Sequence, residues 1–302
     1  MTDLSSCNIA VHQPDSQHPA SSEQLVLPAP AKLNLFLHIT GRREDGYHEL
    51  QTLFQLLDFG DTITLQSRQD GVIELLDNSP GVEHEQNLIV RAARLLQQRT
   101  GCALGATIRC SKRLPQGGGL GGGSSNAAST LAGLNHLWQT ALDQEQLATL
   151  GLELGADVPV FVRGRSAWAE GVGDRLCTVS LPQRHFLVID PSVVVPTARI
   201  FNDKHLTRNS EAITLAHFLE RGGRNDCEPV AKRLFPAVEQ ALQWLSRYTD
   251  AHLSGTGGCI FGAFEQGADI ERICASIPAQ WNYFTANGVD ESPLTRALRA
   301  AS

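Results

Sequence analysis

Residues 111–126 read SKRLPQGGGLGGGSSN, and glycine fills six of the seven positions from 117 to 123. Where side chains are missing, backbone N–H groups can approach an anion, and a following helix adds unpaired N–H groups and a positive dipole end. Apolar residues at helical spacing do follow: Ala127, Ala128, Leu131, Leu134 and Trp138. The stretch predicts a phosphate-binding loop, in which Ser124 or Ser125 offers a hydroxyl to Mg²⁺ or to a phosphate oxygen.

Three other interpretations of the glycine run are disfavoured. A flexible linker seldom leads into so regular a helical pattern. Gly117, Gly119 and Gly122 also satisfy G-x-G-x-x-G, with Asp143 about 20 residues further on, as in dinucleotide-binding folds. That fingerprint needs a strand running directly into its first glycine, whereas residues 111–116 intervene here. A nicotinamide-dependent oxidoreductase is therefore disfavoured, and a Walker loop is excluded because no Gly-Lys-Ser/Thr occurs at the helix entry.

The segment of residues 31–39 alternates like a half-buried strand, with an apolar residue at every odd position. Lys32 and Asn34 therefore share the opposite face, about 7 Å apart, and can point into one site. Residues 50–57 are apolar and residues 61–65 alternate again, which predicts an antiparallel sheet.

Asp157 is the strongest candidate for chemistry. It follows a predicted helix that begins with a capping box of Asp143 and Gln146 and ends before Gly155. An acid between apolar residues is seldom buried without a partner, although a helix-capping or turn aspartate is the alternative. Lys32 has the alternative of a solvated strand lysine. Together they predict an acid–base pair, in which the lysine stabilises the carboxylate and the carboxylate accepts the proton of an attacking hydroxyl.

Three shorter patterns leave alternatives open. Gly255, Thr256 and Gly257 lie in a second glycine-rich loop among strand residues, where a hairpin turn explains the pattern as well as function does. Tyr47 and His48 can stack on a base and hydrogen-bond to it, but such a pair is usually packing. Residues 225–228 match a capping box and are interpreted as structural.

Composition limits the class of protein. The 302 residues carry a formal charge of −7 without a Lys/Arg block, so neither nucleic acid nor membrane is expected as a partner. The apolar runs are too short to span a membrane, and no secretory pattern opens the chain. Seven scattered cysteines without a C-x-x-C pair indicate reduced thiols. We therefore expect a cytoplasmic protein, with a mobile extension at 1–26 and domains at 27–165 and 166–302.

Five stretches together resemble the GHMP kinases: PAKLNLFL (30–37), DGYHEL (45–50), LPQGGGLGGGSSNAA (114–128), LGADVPVF (154–161) and SGTGG (254–258). The resemblance covers residues 27–297 and is greatest to the branch of non-mevalonate isoprenoid synthesis, whose acceptor carries a diphosphocytidyl group. It implies an α+β fold, with an N-terminal ATP-binding domain, a C-terminal ferredoxin-like domain and the active site between them. Ser254 and Gly258 depart slightly from the family, whose members often have Thr and Ala there.

The resemblance also implies roles for individual residues, with ATP and Mg²⁺ as cofactors and no protein group assigned to the metal. Asp157 would be the base and Lys32 its cationic partner. The ATP-binding residues would be Pro115, Gly117, Gly118, Gly119, Leu120, Gly121, Gly122, Gly123, Ser124, Ser125, Asn87 and Lys112. The substrate-binding residues would be Asn34, Tyr47, His48, Thr197, Phe201, Gly255, Thr256 and Gly257. Tyr47 and Phe201 would flank the cytosine, with Lys112 also near the cytidine.

The sequence thus predicts an ATP-dependent kinase that phosphorylates an alcohol of a small, diphosphocytidyl-linked metabolite. Its nearest alternative is a GHMP kinase for a mevalonate-type, sugar or homoserine acceptor. An alternative of another class is a catalytically silent nucleotide-binding regulatory module, against which the presence of both Asp157 and Lys32 argues. The oligomeric state is left open.

Overall fold

The computed structural model describes residues 24–77, 81–265 and 267–301, so most of the expected N-terminal extension lies outside the described residues. No helix in these ranges has the length and apolarity needed to cross a membrane. The six cysteines within them carry free thiols.

The described chain alternates between strands and helices in a mixed α+β order. The strands are β1 Gln24–Arg42, β2 His48–Arg68, β3 Ile73–Leu75, β4 Gly105–Ser111, β5 Ala167–Glu170, β6 Arg175–Thr178, β7 His185–Asp190, β8 Ala251–Leu253, β9 Ile260–Phe264 and β10 Asn282–Val289. The helices are α1 Leu88–Thr100, α2 Gly122–Leu137, α3 Gln144–Leu154, α4 Val158–Arg163, α5 Thr197–Phe201, α6 Leu215–Arg221, α7 Glu228–Leu234, α8 Pro236–Leu245, α9 Ile270–Cys274 and α10 Pro293–Ala301. A 3₁₀ turn, His84–Gln86, precedes α1.

The first half of the chain is built on the long antiparallel pair of β1 and β2. Strand β4 pairs with residues 62–68 of β2 on the edge opposite β1, and β3 pairs in parallel with β4. The strand predicted at 31–39 is confirmed within β1, and its register with β2 shifts between Pro30 and Lys32 and between Asn34 and Leu37. Such bulges re-aim side chains, and here they flank the two polar residues that the alternation placed on one face.

The second half forms an antiparallel sheet in the order β10–β7–β9–β8. Strands and helices follow one another as β7, α5–α8, β8, β9, α9, β10, which is the ferredoxin-like βαββαβ arrangement. Gly288 and Val289 of β10 pair with Leu57 and Leu56 of β2. This short pairing joins the two sheets directly.

The predicted domain boundary near residue 165 stays a prediction. Strand β5 pairs with β2, and Ala167 and Ala169 belong to the hydrophobic core of the first half. Leu294 of α10 packs into that same core. The last helix of the chain therefore returns to the first half of the molecule.

Two helix starts follow from local sequence. The predicted capping box is confirmed: Asp143 accepts from the Gln146 N–H at 2.8 Å, and α3 ends at Leu154, with Gly155 as its C-cap. Helix α2 begins at Gly122, inside the glycine run, with Gly121 in the left-handed conformation at φ 72° as its N-cap. The glycine run thus forms both the loop and the first turn of α2.

Gly60 of β2 allows the backbones of β1 and β2 to approach closely beside the bulge between Pro30 and Lys32. A Cβ at this position would lie 2.1 Å from the carbonyl oxygen of Ala29, whereas one on Gly41 would meet nothing closer than 3.7 Å. We predict that Gly60→Ala lowers the free energy of unfolding by about 3 kcal/mol or more, because backbone atoms must move. Urea denaturation measures this free energy of unfolding, with Gly41→Ala as the matched control. Equal stability of the two variants would contradict this interpretation.

Candidate active site

Two glycine loops from distant parts of the chain meet in the middle of the molecule. One precedes α2 and the other connects β8 to β9. The Gly258 N–H donates to the carbonyl of Gly117 at 3.1 Å, and the Cys259 N–H donates to the carbonyl of Gly118 at 3.1 Å. Because β8 and β9 pair antiparallel, the second loop is a hairpin turn, one of its two interpretations, and it also holds the first loop in place.

Glycine is required where these loops touch. A Cβ on Gly119 would lie 1.9 Å from the carbonyl oxygen of Ser254, and one on Gly257 would lie 2.0 Å from the backbone nitrogen of Gly119. Gly119 also has φ +77°, which other residues rarely adopt. The run is thus shaped for close backbone contact, which is incompatible with a flexible linker.

Lys32 is the buried cation of the site, with a side chain only 4% exposed. Its Nζ donates to the carbonyl of Gly119 at 3.0 Å and to Oδ1 of Asn34 at 2.5 Å. It also lies 3.4 Å from Oδ2 of Asp157. An ammonium has three N–H donors, and these three acceptors match them. Lys32 is therefore not a solvated strand residue, and it is paired with Asp157.

Asn34 holds the lysine from the other side. Its Nδ2 donates to Oγ1 of Thr52 at 2.9 Å, and that hydroxyl donates to the carbonyl of Phe36. Asn34 and Thr52 are both buried. The amide thus orients Lys32, and its expected role in orienting the substrate stays a prediction. Thr52 is a site residue that sequence reasoning missed.

Asp157 occupies the N-cap position of α4, but its side chain makes no capping hydrogen bond. The carboxylate is one-third exposed and faces Lys32. The alternative of a helix-capping aspartate is therefore excluded. An exposed acceptor held by a buried cation is able to receive a proton from a bound hydroxyl.

The start of α2 presents its free backbone donors beside this pair. The Ser125 N–H donates to the carbonyl of Gly121, so the N–H groups of residues 122–124 precede the first intrahelical bond. The Ser125 Oγ and Asn126 Oδ1 atoms are buried without a hydrogen-bond partner in the described part of the chain. Such orphaned oxygens fit a site that takes up a polar ligand or a cation.

A buried carboxylate holds the segment between β4 and the glycine run. Asp61 accepts from the Arg113 N–H at 2.7 Å, from the Leu114 N–H at 2.8 Å and from the ammonium of Lys112. Asn87 is buried, and its Oδ1 caps α1. Asp61 is a second missed residue, since only the pairing of β2 with β4 brings it to this position.

The residues expected to bind the acceptor lie mainly at the other end of the site. Thr197 Oγ1 and Thr256 Oγ1 are 2.9 Å apart, and Phe201 stacks on His48 with ring centroids 5.0 Å apart. Tyr47 is 67% exposed. The flanking of a cytosine by Tyr47 and Phe201 stays a prediction.

A cavity of about 550 Å³ lies between these elements. The predicted site residues that line it are Lys32, Asn34, Asn87, Lys112, Pro115, Gly117, Gly118, Gly119, Leu120, Gly121, Gly122, Gly123, Ser124, Asp157, Thr197, Phe201, Gly255 and Thr256. Ser125, Tyr47, His48 and Gly257 are not part of the lining. Most of the predicted site is thus gathered around one cleft.

Asn225 holds the second glycine loop, and the capping box predicted for it is wrong. Helix α7 has Cys227 as its N-cap, without a side-chain capping bond. The Asn225 Oδ1 accepts from the Cys227 N–H at 2.9 Å, whereas its Nδ2 donates to the carbonyls of Leu253 at 2.9 Å and Gly255 at 2.8 Å. The local pattern failed because the amide reaches acceptors far away in sequence.

Known proteins are similar to this chain over most of its length. The profile of the GHMP kinases N terminal domain matches residues 87–165, and that of GHMP kinases C terminal matches residues 204–282. A 4-diphosphocytidyl-2-C-methyl-D-erythritol kinase of Pseudomonas aeruginosa is 54% identical over 92% of this chain and 98% of its own length. The enzyme of that name from Halorhodospira halophila is 52% identical over 93% of this chain and 99% of its own length.

Solved structures of kinases are also similar to this chain. A crystal structure of 4-(cytidine 5'-diphospho)-2C-methyl-D-erythritol kinase has a TM-score of 0.76 and 33% identity, covering 88% of this chain and all of that one. A homoserine kinase from Cytophaga hutchinsonii has a TM-score of 0.66 at 16% identity, covering 94% of this chain and 98% of that one. The second match reflects the fold alone.

We predict that Thr52→Val impairs the site without changing its shape. The variant leaves the Asn34 amide and the Phe36 carbonyl unpaired, which should cost about 1–3 kcal/mol of stability. Because Asn34 then holds Lys32 loosely, kcat should fall roughly tenfold or more. Thermal unfolding and steady-state kinetics measure the two effects.

Thr52→Ser is the matched control, since it keeps the hydroxyl and removes only a methyl group. It should retain most of kcat. If Thr52→Val and Thr52→Ser behaved alike, the hydroxyl would not be what positions the lysine.

Proposed function

The chain belongs to the GHMP kinases, and within them to the 4-diphosphocytidyl-2-C-methyl-D-erythritol kinases, and on that premise we propose that it transfers the γ-phosphoryl group of ATP to the 2-hydroxyl of 4-diphosphocytidyl-2-C-methyl-D-erythritol. The products are ADP and the 2-phosphate, in the non-mevalonate route to isoprenoid precursors. Family membership agrees with the two-domain α+β fold and with the kinase activity that the sequence predicted. One observation carries the proposal: the Lys32–Asp157 pair at 3.4 Å beside the glycine loop.

The protein takes little part in the covalent chemistry of this reaction. The acceptor hydroxyl gives its proton to Asp157 as its oxygen bonds to the γ-phosphorus, and the bond from that phosphorus to the leaving ADP oxygen breaks. Phosphoryl transfer passes through a loose transition state, so positioning and charge stabilisation contribute more than early proton removal. Lys32 is suited to this task as a fixed positive charge, because all three of its donors have acceptors.

The phosphates of ATP would be bound by the glycine loop and the first turn of α2, through the free N–H groups of residues 122–124. Lys112, held by Asp61, would add positive charge at the same end. Asn87 lines the cavity and would lie near the adenosine. These assignments rest on the loop's geometry and on the family pattern.

Mg²⁺ is part of the proposal. Among the described residues, no group of three or more His, Cys, Asp or Glu side chains is arranged to hold a metal ion. Mg²⁺ is commonly bound through substrate phosphates with one or two protein oxygens. The Ser124 side chain lines the cavity and would supply such an oxygen, and the neighbouring Ser125 Oγ is buried and unpartnered in the described chain. The bound ion would neutralise charge on the β- and γ-phosphates.

The acceptor would lie on the side of Thr197, Phe201 and Thr256, with its hydroxyl at Asp157. The second glycine loop supports this placement, because Gly255 lies against Asn34 and Lys32. We also propose a cytoplasmic location, in line with the free thiols of the described cysteines. Kinases for mevalonate, homoserine and galactose share this fold at 12–16% identity, so their acceptors serve as the negative controls of the substrate test.

ADP release across a panel of acceptors tests the substrate. We predict turnover of the diphosphocytidyl methylerythritol and none of mevalonate, homoserine or galactose. Asp157→Asn should reduce kcat by roughly 10²–10⁴-fold, because the base is lost while the shape is kept. Nucleotide binding, measured by calorimetry, should survive in that variant.

Turnover of another acceptor alone would refute the substrate while keeping the kinase. Near-normal turnover by Asp157→Asn would refute the base. Binding of ATP without turnover of any acceptor would favour the regulatory module.

Lys32→Met tests the fixed charge. This variant keeps the length of the side chain and removes the ammonium, so kcat should fall roughly 100-fold while the Kd for ATP changes only a few-fold. An effect confined to KM for ATP, with kcat unchanged, would contradict the assigned role. Thermal unfolding separates a catalytic loss from a loss of folded protein.

A further inference from the structure

The segment of residues 224–226 joins the second half of the chain to strand β1. The Leu37 N–H donates to the carbonyl of Arg224 at 3.0 Å, and the Asp226 N–H donates to the carbonyl of Leu37 at 2.8 Å. The register of β1 with β2 shifts between Asn34 and Leu37. Residues 224–226 are therefore fixed to the stretch of β1 that adjoins Asn34.

Asn225, in the middle of this segment, is buried and directs its amide at the second glycine loop. Its Nδ2 donates to the carbonyls of Leu253 at 2.9 Å and Gly255 at 2.8 Å, and its Oδ1 accepts from the Cys227 N–H at 2.9 Å. A backbone N–H only donates, so the amide oxygen must face Cys227 and both N–H groups must face the loop. A flipped amide or an ionised carboxylate could not make these three bonds.

The bonded loop packs against the contact between Lys32 and Asn34. Gly255 lines the cavity together with these two residues, and its φ of +58° is one that other residues rarely adopt. A Cβ on Gly255 would lie 2.9 Å from Oδ1 of Asn34 and 3.6 Å from Nζ of Lys32. The position of Gly255 therefore limits where the ammonium and the amide can lie.

We propose that Asn225 is a positioning residue, which fixes Gly255 beside Lys32 and Asn34 and so keeps the ammonium at Asp157 for phosphoryl transfer. Asn225 does not itself line the cavity and acts from behind the loop. A misplacement of about 1 Å can cost an enzyme roughly 100-fold in rate. The inference rests on the proposed function, because the pair that it concerns is the one that the proposed reaction uses.

Asn225→Asp tests the role with the least change of shape. It replaces both N–H donors by an oxygen that faces the carbonyls of Leu253 and Gly255, so the loop should be displaced. We expect kcat with the diphosphocytidyl acceptor to fall roughly 10- to 100-fold. The Kd for ATP should change less than about threefold, because the N–H groups proposed to bind its phosphates belong to α2. Asn225→Ala removes the donors without adding a charge and should lower kcat less, and it carries the test if the first variant does not fold.

Thr249→Val is the matched control for lost stability. Thr249 Oγ1 donates to the carbonyl of Ala263 at 2.8 Å, at the open end of the β8–β9 hairpin and opposite the glycine loop. This variant therefore also leaves a carbonyl of the second half unpaired. Thermal unfolding should show a lower Tm in all three variants, whereas kcat per folded molecule should stay unchanged in Thr249→Val. Hydrogen exchange of residues 253–257 should become faster only in the two Asn225 variants.

Protonation should partly restore Asn225→Asp, because a protonated carboxyl has one O–H that can donate to one of the two carbonyls. Burial beside carbonyl oxygens raises the pKa of the introduced carboxyl, and the acids Asp226 and Glu228 act in the same direction. The neighbouring cations Arg224 and Lys32 are each already paired with an acid. The kcat of Asn225→Asp relative to wild type should therefore rise several-fold from pH 8 to pH 6, and that of Asn225→Ala should not.

Unchanged kcat in both Asn225 variants would overturn the positioning role, as would an equal loss of kcat in Thr249→Val. An equal pH dependence of the two Asn225 variants would overturn the assigned contact with the carbonyls, as would unchanged hydrogen exchange of residues 253–257. If the wild-type protein phosphorylated no acceptor, the proposed function would fail, and the exchange rates would still decide whether Asn225 holds the loop.

Discussion

The burial of one ammonium group is the constraint on which the rest of this structure depends. Removing a charge from water costs several kcal/mol unless partners replace the water. For Lys32 those partners are the carboxylate of Asp157, the carbonyl of Gly119 and the amide of Asn34. They come from the start of α4, the glycine loop and β1 itself. The position of each of these elements is therefore tied to the same charge, which is also the charge that the proposed reaction uses.

The second constraint is backbone contact between the two halves of the chain. Gly119 and Gly257 approach so closely that neither has room for a Cβ. The glycines are thus needed for space at least as much as for flexibility, and the first loop is held by hydrogen bonds from the second. A cleft assembled in this way is preorganised for the proposed binding of phosphates.

Local sequence signals predicted the parts of the site that depend on neighbouring residues. Strand alternation placed Lys32 and Asn34 on one face, and the glycine run marked the loop and the helix that follows it. Asp61 and Thr52 carry no such signal, because their roles arise from strand pairing and from contacts across the sheet. Asn225 even carried a misleading signal, since it matched a capping pattern while its amide binds a loop about 30 residues away. Long-range hydrogen bonds are what the sequence alone did not reveal.

The most direct test of this account is a crystal structure with a non-hydrolysable ATP analogue, Mg²⁺ and the diphosphocytidyl methylerythritol bound together. We predict that the phosphates lie against the N–H groups of residues 122–124, with the 2-hydroxyl of the acceptor within hydrogen-bond distance of the Asp157 carboxylate. The Lys32 ammonium should keep its contact with that carboxylate. Phosphates bound away from the glycine loop, or an acceptor hydroxyl out of reach of Asp157, would contradict it.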